Sequence, residues 1–191
     1  MIVAQQWHLS HCLGAATSVY DPPTGAHCVR VALLAEQIAA QMNVEPEIYH
    51  IVRHAALLHD LGKVAIDPAV LNSDGPLSEQ EWVEIRRHPA IGSDVLLAVS
   101  TELQPIAAAV RAHHERIDGG GYPDGLVGEQ IPLAARILAV ADVHDALTST
   151  RLYRARPFTA SEATDYLVEH TGTHFDGAVV EAAQAVLATA S

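Results

Sequence analysis

The stretch from Arg53 to Ile66, Arg-His-Ala-Ala-Leu-Leu-His-Asp-Leu-Gly-Lys-Val-Ala-Ile, sets an adjacent imidazole and carboxylate, His59-Asp60, inside an apolar helical segment that a glycine stops. Burying such a pair without a partner carries a heavy desolvation penalty. A metal ion is the partner that uses both side chains. Lys63 follows three residues after Asp60 and is the only lysine in the chain, every other fixed cation being an arginine. A compact point charge beside the pair is therefore a role to weigh against that of a solvated lysine at a helix end.

Composition bounds what can surround that stretch. With 191 residues, 49% hydrophobic and 18% charged, the chain suits one domain with a substantial core. No apolar run approaches the roughly 20 residues that cross a bilayer. Met1 to Leu9 lacks the basic flank and long apolar core of a signal peptide, so the expectation is a soluble cytoplasmic protein without membrane partners. The two cysteines, Cys12 and Cys28, have no metal-type spacing and read as buried small hydrophobes in a reducing compartment. A net charge of -12 argues against a nucleic-acid polymer as partner and means that an anionic substrate needs local compensation. Histidine is the outlier, 12 residues against 11 lysines and arginines together. Metal binding is one reason for so many imidazoles and surface polarity is another, so placement has to decide.

The periodicity predicts an all-α chain. Asp21-Pro22-Pro23-Thr24 breaks the chain and offers Thr24 as an N-cap, after which His27, Val31, Leu34 and Ile38 share one helical stripe. Pro46 opens the helix carrying Ile51, Ala55, Leu58 and His59, and Gly62 suits its C-terminal end. Ser78 and Glu81 form a capping box for a helix through Arg87, and His88-Pro89 closes that helix or starts the next. Pro105 opens a helix reaching His113-His114. Asp118 to Gly125 cannot be regular structure, and its three consecutive glycines allow close backbone approach or flexibility. Pro132 starts an apolar helix interrupted by Asp142 and Asp145, with Asp142 expected to be buried. Helices over about Thr159 to His170 and Asp176 to Ala188 complete the pattern. Any sheet is limited to a short ribbon in the glycine loop.

His27, His59, Asp60, His88, His113, His114 and Asp142 are thus spread over most of the helices. This set exceeds what one metal with an open position needs, and it matches two ions sharing a carboxylate. Imidazole and oxygen donors without cysteine favour iron or manganese, with zinc and nickel as alternatives. His8, His11, His50, His54, His144, His170 and His174 receive no role and are expected to be mostly exposed or satisfied within the fold.

Several ordered blocks resemble the HD-GYP family, a branch of the HD phosphohydrolase superfamily. They are Asp21 to Val31 around His27, His54 to Ile66 around His59-Asp60, Ile85 to Gly92 around His88, His113-His114-Glu115 through Gly-Tyr122-Pro123, Ile131 to Asp142, Ala146 to Arg154, and His174-Phe175-Asp176. The resemblance implies a single HD-domain helical bundle over residues 21–191 with a glycine-rich GYP loop. Residues 1–20 then form an N-terminal helical extension or linker, or a homodimer contact. It further implies that His27, His59, Asp60 and Asp142 hold one divalent metal, and that Asp60 bridges to a second held by His88, His113 and His114. The implied substrate is cyclic di-GMP, hydrolysed to the linear dinucleotide pGpG or on to GMP. Lys63 would neutralise developing charge, with Arg111, Arg116, Arg136, Arg151 and Arg154 available to the substrate and Tyr122 as a wall. His144, Ile117 and Leu152 depart from the family pattern, on the substrate side rather than among the ligands. Some members bind a third ion through a glutamate at the position of Pro23, so two ions are expected here, with the linear dinucleotide accumulating ahead of GMP. Two other readings stay open: a signalling module with little turnover that docks a diguanylate cyclase or another partner, and a hydrolase for a different cyclic dinucleotide.

Overall fold

Helix α1, Pro22–Gln41, starts two residues before the expected cap, because Asp21 caps it and accepts from the Thr24 amide at 3.4 Å and the Thr24 hydroxyl at 2.6 Å. Paired prolines occupy the first turn, where a missing N–H costs nothing. The computed structural model describes residues 13–15, 19, 21–71, 73, 75–150 and 156–189. Most of the N-terminal extension, with Cys12, His8 and His11, lies outside them. So do Arg151, Leu152 and Arg154.

After α1 come α2 (Pro46–Leu58), a 3-10 turn over Leu61–Ala65, α3 (Pro68–Leu71) and α4 (Glu79–Ile85). Then follow α5 (His88–Val99), α6 (Gln104–Arg111), α7 (Leu133–Thr148), α8 (Ala160–Glu169) and α9 (Gly177–Thr189). The Ser78/Glu81 capping box forms as expected, but α4 stops at Ile85 and His88 opens the next helix. Among the described residues there is no strand. The ribbon expected in the glycine loop is a single antiparallel bridge between Asp118 and Val127. No described helix is long and apolar enough to cross a membrane.

Helix α1 packs on α2 and α7, α2 also packs on α6 and α7, α5 lies against α6, and α9 covers α1 and α8. The core holds Val31 and Ile38 of α1, Val52 of α2, Leu96 of α5, Val110 of α6, Ile137 and Leu138 of α7, and Leu167 of α8. Each fully buried side chain of this size contributes about 1.5–3 kcal/mol. Ala35, Ala39, Ala55, Ala109, Ala135 and Ala141 fill the interfaces between them, and such small residues let the axes approach closely. That approach brings the ends of α2, α5 and α6 together with side chains from within α1 and α7.

Gly62 differs from its expected role. Helix α2 ends at Leu58, and Gly62 lies inside the 3-10 turn with no left-handed φ. A Cβ there would land on the His88 carbonyl and 2.7 Å from the Gly92 amide. The glycine is needed because α5 passes against the turn, which presses the His88 backbone onto the HD segment.

Candidate metal centre

Helix ends leave carbonyls without intrahelical partners, and here imidazoles satisfy them. His59, immediately after α2, donates from Nδ1 to the Ala56 carbonyl at 2.8 Å. His113, just past α6, donates from Nδ1 to Val110 at 2.6 Å, and His88 does so to Ile85 at 2.7 Å. Committing Nδ1 to donation leaves Nε2 as a lone pair in the neutral ring. His27 follows the same rule with a carboxylate, its Nδ1 donating to Asp145 Oδ2 at 2.7 Å.

The Nε2 atoms of these rings converge. His27 Nε2 lies 3.0 Å from Asp142 Oδ1, and His59 Nε2 lies 3.9 Å from the same oxygen. Asp60 stands between two groups: its Oδ2 is 3.5 Å from His59 Nε2 and 4.0 Å from His27 Nε2, and its Oδ1 is 3.4 Å from His88 Nε2. His88 Nε2 and His113 Nε2 face each other at 3.3 Å. Two acceptor nitrogens at that distance with no proton between them repel, and His59 Nε2 is buried without a hydrogen-bond partner. A cation relieves both situations. Ligand atoms of His27, His59 and Asp142 lie within 4.8 Å of one another, and so do those of His88, His113 and His114. The residues present fit two metal ions, one in each group, with Asp60 between them.

The electrostatics agree. Burial opposes the ionised form of Asp60, yet Lys63 and the surrounding imidazoles hold its carboxyl well below the usual range. Lys63 donates from Nζ to Asp60 Oδ2 at 2.7 Å, and that carboxylate outweighs its own desolvation and keeps it protonated. Burial lowers His114 to about 3, as it lowers His88 and His113, so all three rings are neutral and able to ligate. For His27 the desolvation is outweighed by Asp142 and Asp145, which raise it to about 9. That proton sits between carboxylates where a metal would replace it. Cys28 lies beside the cluster, its sulfur within 4.8 Å of ligand atoms of His59 and Asp60. Burial pushes its thiol up, so it stays neutral.

A family model described as HD domain matches residues 9–179. The chain belongs to the HD domain family, in its HD-GYP branch. It is 43% identical over 171 residues to the cyclic di-GMP phosphodiesterase response regulator RpfG of Xanthomonas campestris, covering 89% of this chain and 45% of that protein. It is 37% identical over 174 residues to 3'3'-cGAMP-specific phosphodiesterase 2 of Vibrio cholerae, covering 91% of this chain and 33% of that one. The chain therefore spans less than half the length of these relatives. An HDG"Y"P protein from Bdellovibrio bacteriovorus shares the fold at a TM-score of 0.71 and 19% identity, over 97% of this chain and 64% of that one.

The HD domain brings all seven expected ligand residues to one cluster and distributes the other expected site residues unevenly. Tyr122 of the GYP loop lies against it, its ring 4.8 Å from that of His114 at 33°. Arg111 and Arg116, expected to be available to the substrate, pair with the loop: Arg111 grips Asp124 with two bonds of 2.7 and 2.8 Å, and Arg116 holds Asp118. Arg136 pairs with Asp176. Arg151 and Arg154 lie outside the described residues. Among the histidines without a role, His50 is exposed, whereas His54 and His144 are buried.

Two residues of this HD domain escaped the sequence reading. Asp145 orients His27 and is itself held by Arg30 Nε at 2.6 Å, a carboxylate–histidine arrangement that fixes ring and tautomer. The signal was the spacing, since Asp145 lies three residues after Asp142 and Arg30 three after His27. Glu115 is buried and accepts from the amides of Asp124, Gly125 and Leu126 at 2.6, 3.1 and 3.1 Å, which pins the GYP loop. Gly121 permits that fold-back, because a Cβ there would collide with the Glu115 and Arg116 backbone.

Proposed function

We propose that this chain is a metal-dependent phosphodiesterase that hydrolyses cyclic di-GMP to linear pGpG at a binuclear centre held by His27, His59, Asp60, His88, His113, His114 and Asp142. The observation that carries the reading is the convergence of Nε2 lone pairs, each set by an Nδ1 bond, on a carboxylate that faces both groups. Iron or manganese suits this donor set better than zinc or nickel. Divalent ions there would supply an activated water at neutral pH and positive charge for the phosphate oxygens. Asp60 orients both halves of the centre, Asp142 and Asp145 hold His27, and Lys63 places an ammonium where charge accumulates on the phosphate or the leaving oxygen. Asp21 is committed to capping α1 and Pro23 offers no side-chain oxygen, which supports two ions rather than three. The names of the relatives support a cyclic dinucleotide as substrate, and the absence of a membrane-spanning helix among the described residues is compatible with action in the cytoplasm.

The reading is tested with metal-loaded protein and a panel of cyclic dinucleotides. Cyclic di-GMP should be cleaved with pGpG appearing ahead of GMP. Turnover should vanish with chelator and return with Fe(II) or Mn(II). Elemental analysis should give two ions per chain. Full activity in protein shown to be metal-free would end the proposal, and preferential cleavage of 3'3'-cGAMP would reassign the substrate.

Lys63→Ala separates charge stabilisation from ligation. It should retain both ions and the fold while turnover falls on the order of 10²-fold, since it removes a transition-state contact and no ligand. Loss of metal, or an unchanged kcat, would refute that role.

A further inference from the structure

An acidic chain that binds a dianionic nucleotide needs cations that its own carboxylates have not already claimed. Arg30, Arg53, Arg111, Arg116, Arg136 and Arg156 each pair with an aspartate or glutamate, and Lys63 with Asp60. Among the described residues this leaves Arg86 and Arg87, both exposed at the end of α4. They differ in what surrounds them. The Arg86 guanidinium lies 5.4 Å from the centroid of the Tyr122 ring and 5.9 Å from that of Trp82, one helical turn before it. Both distances fall within cation–π reach. Tyr122 in turn lies on His114, and Arg86 precedes His88 by two residues. A column of planar groups thus runs outward from the His88/His113/His114 end of the centre and finishes on Trp82, a residue 47% exposed.

A guanidinium held by ring faces keeps its edge donors directed outward, since the faces engage its plane. Two parallel N–H donors match a pair of adjacent acceptors, as on the O6/N7 edge of guanine, while adenine presents a donor in place of one of them. An exposed indole alongside offers a surface on which a purine stacks. We infer that Trp82, Arg86 and Tyr122 form a guanine subsite of the substrate pocket, in which Arg86 reads the base edge and Trp82 stacks upon it. This rests on the cyclic di-GMP reading above and deepens it, making Arg86 a specificity residue.

The test uses the Mn(II)-loaded chain and two numbers per variant, the KM for cyclic di-GMP and the Ki of cyclic di-AMP as a competitor of that reaction. Arg86→Ala should raise the KM about tenfold, the loss of one bidentate base contact, with kcat changed far less and the Ki for cyclic di-AMP moved no more than about twofold. Arg86→Lys keeps the charge and offers the O6/N7 edge an ammonium in place of the planar fork, so it should recover part of the KM lost in Arg86→Ala. Arg87→Ala removes the same charge from the neighbouring position and should leave both numbers in place. Thermal unfolding of all three variants should match the parent chain, because both arginines are exposed. A parallel rise in KM and Ki would show that Arg86 reads phosphate and would overturn the inference, as would an unchanged KM or an equal effect of Arg87→Ala. Absence of any cyclic di-GMP turnover by the parent chain would remove the functional reading and this inference together. Normal turnover with an indifferent Arg86 would remove the inference alone.

Discussion

Asp60→Asn should empty both metal positions and lower turnover on the order of 10³-fold or more, with the fold intact. The carboxylate presents Oδ2 to His59 and His27 and Oδ1 to His88. An asparagine has the same shape but offers one oxygen and one NH2 group. Whichever way the amide is turned, one set of lone-pair nitrogens meets a donor instead of a shared acceptor, and the charge that would balance two divalent ions is lost. Lys63 is then left without its 2.7 Å partner in a half-buried position. Elemental analysis and circular dichroism on the same preparation decide the matter. Two retained ions would show that Asp60 does not bridge, and a collapsed fold would show that its role is structural.

Gly62→Ala is expected to give the largest stability loss of any methyl-sized change near the centre, about 3 kcal/mol or more. For a chain of this length that corresponds to roughly 10 °C in Tm. The added carbon would meet main-chain atoms, the His88 carbonyl and the Gly92 amide, which have no rotamer through which to move aside. Relief requires α5 to shift, and α5 carries His88. The melting temperature and the metal content should therefore fall together. Gly75→Ala is the matched control, because a Cβ there meets nothing within 4 Å. A Gly62→Ala protein that melts normally and keeps two ions would mean that α5 moves away from the HD turn at little cost.

Much of this molecule is legible in one dimension. The helical periods, the prolines at Pro22, Pro46, Pro89 and Pro105, and the Ser78/Glu81 box are local codes, since a cap or an N1 proline acts within one turn. Five of the seven proposed ligand residues could be selected because a buried His-Asp pair, a His-His pair and an aspartate in an apolar helix each demand a partner wherever they are placed, while His27 stands on an apolar helical stripe and His88 in a block that resembles the family's. Their division into two groups, with Asp60 facing both, is a matter of how the ends of α2, α5 and α6 meet the interiors of α1 and α7, and that depends on alanine-lined packing among α1, α2, α6 and α7. The arginines show the limit most clearly. By sequence Arg111 and Arg116 were as available as Arg86, because charge is visible in a residue's identity and its partner is not. Folding back the GYP loop onto Glu115 brings Asp124 to Arg111, Asp118 stays beside Arg116, and Tyr122 arrives under Arg86. Ion pairing falls off over a few ångströms, so which cation stays unclaimed is settled by contacts between residues far apart in the chain.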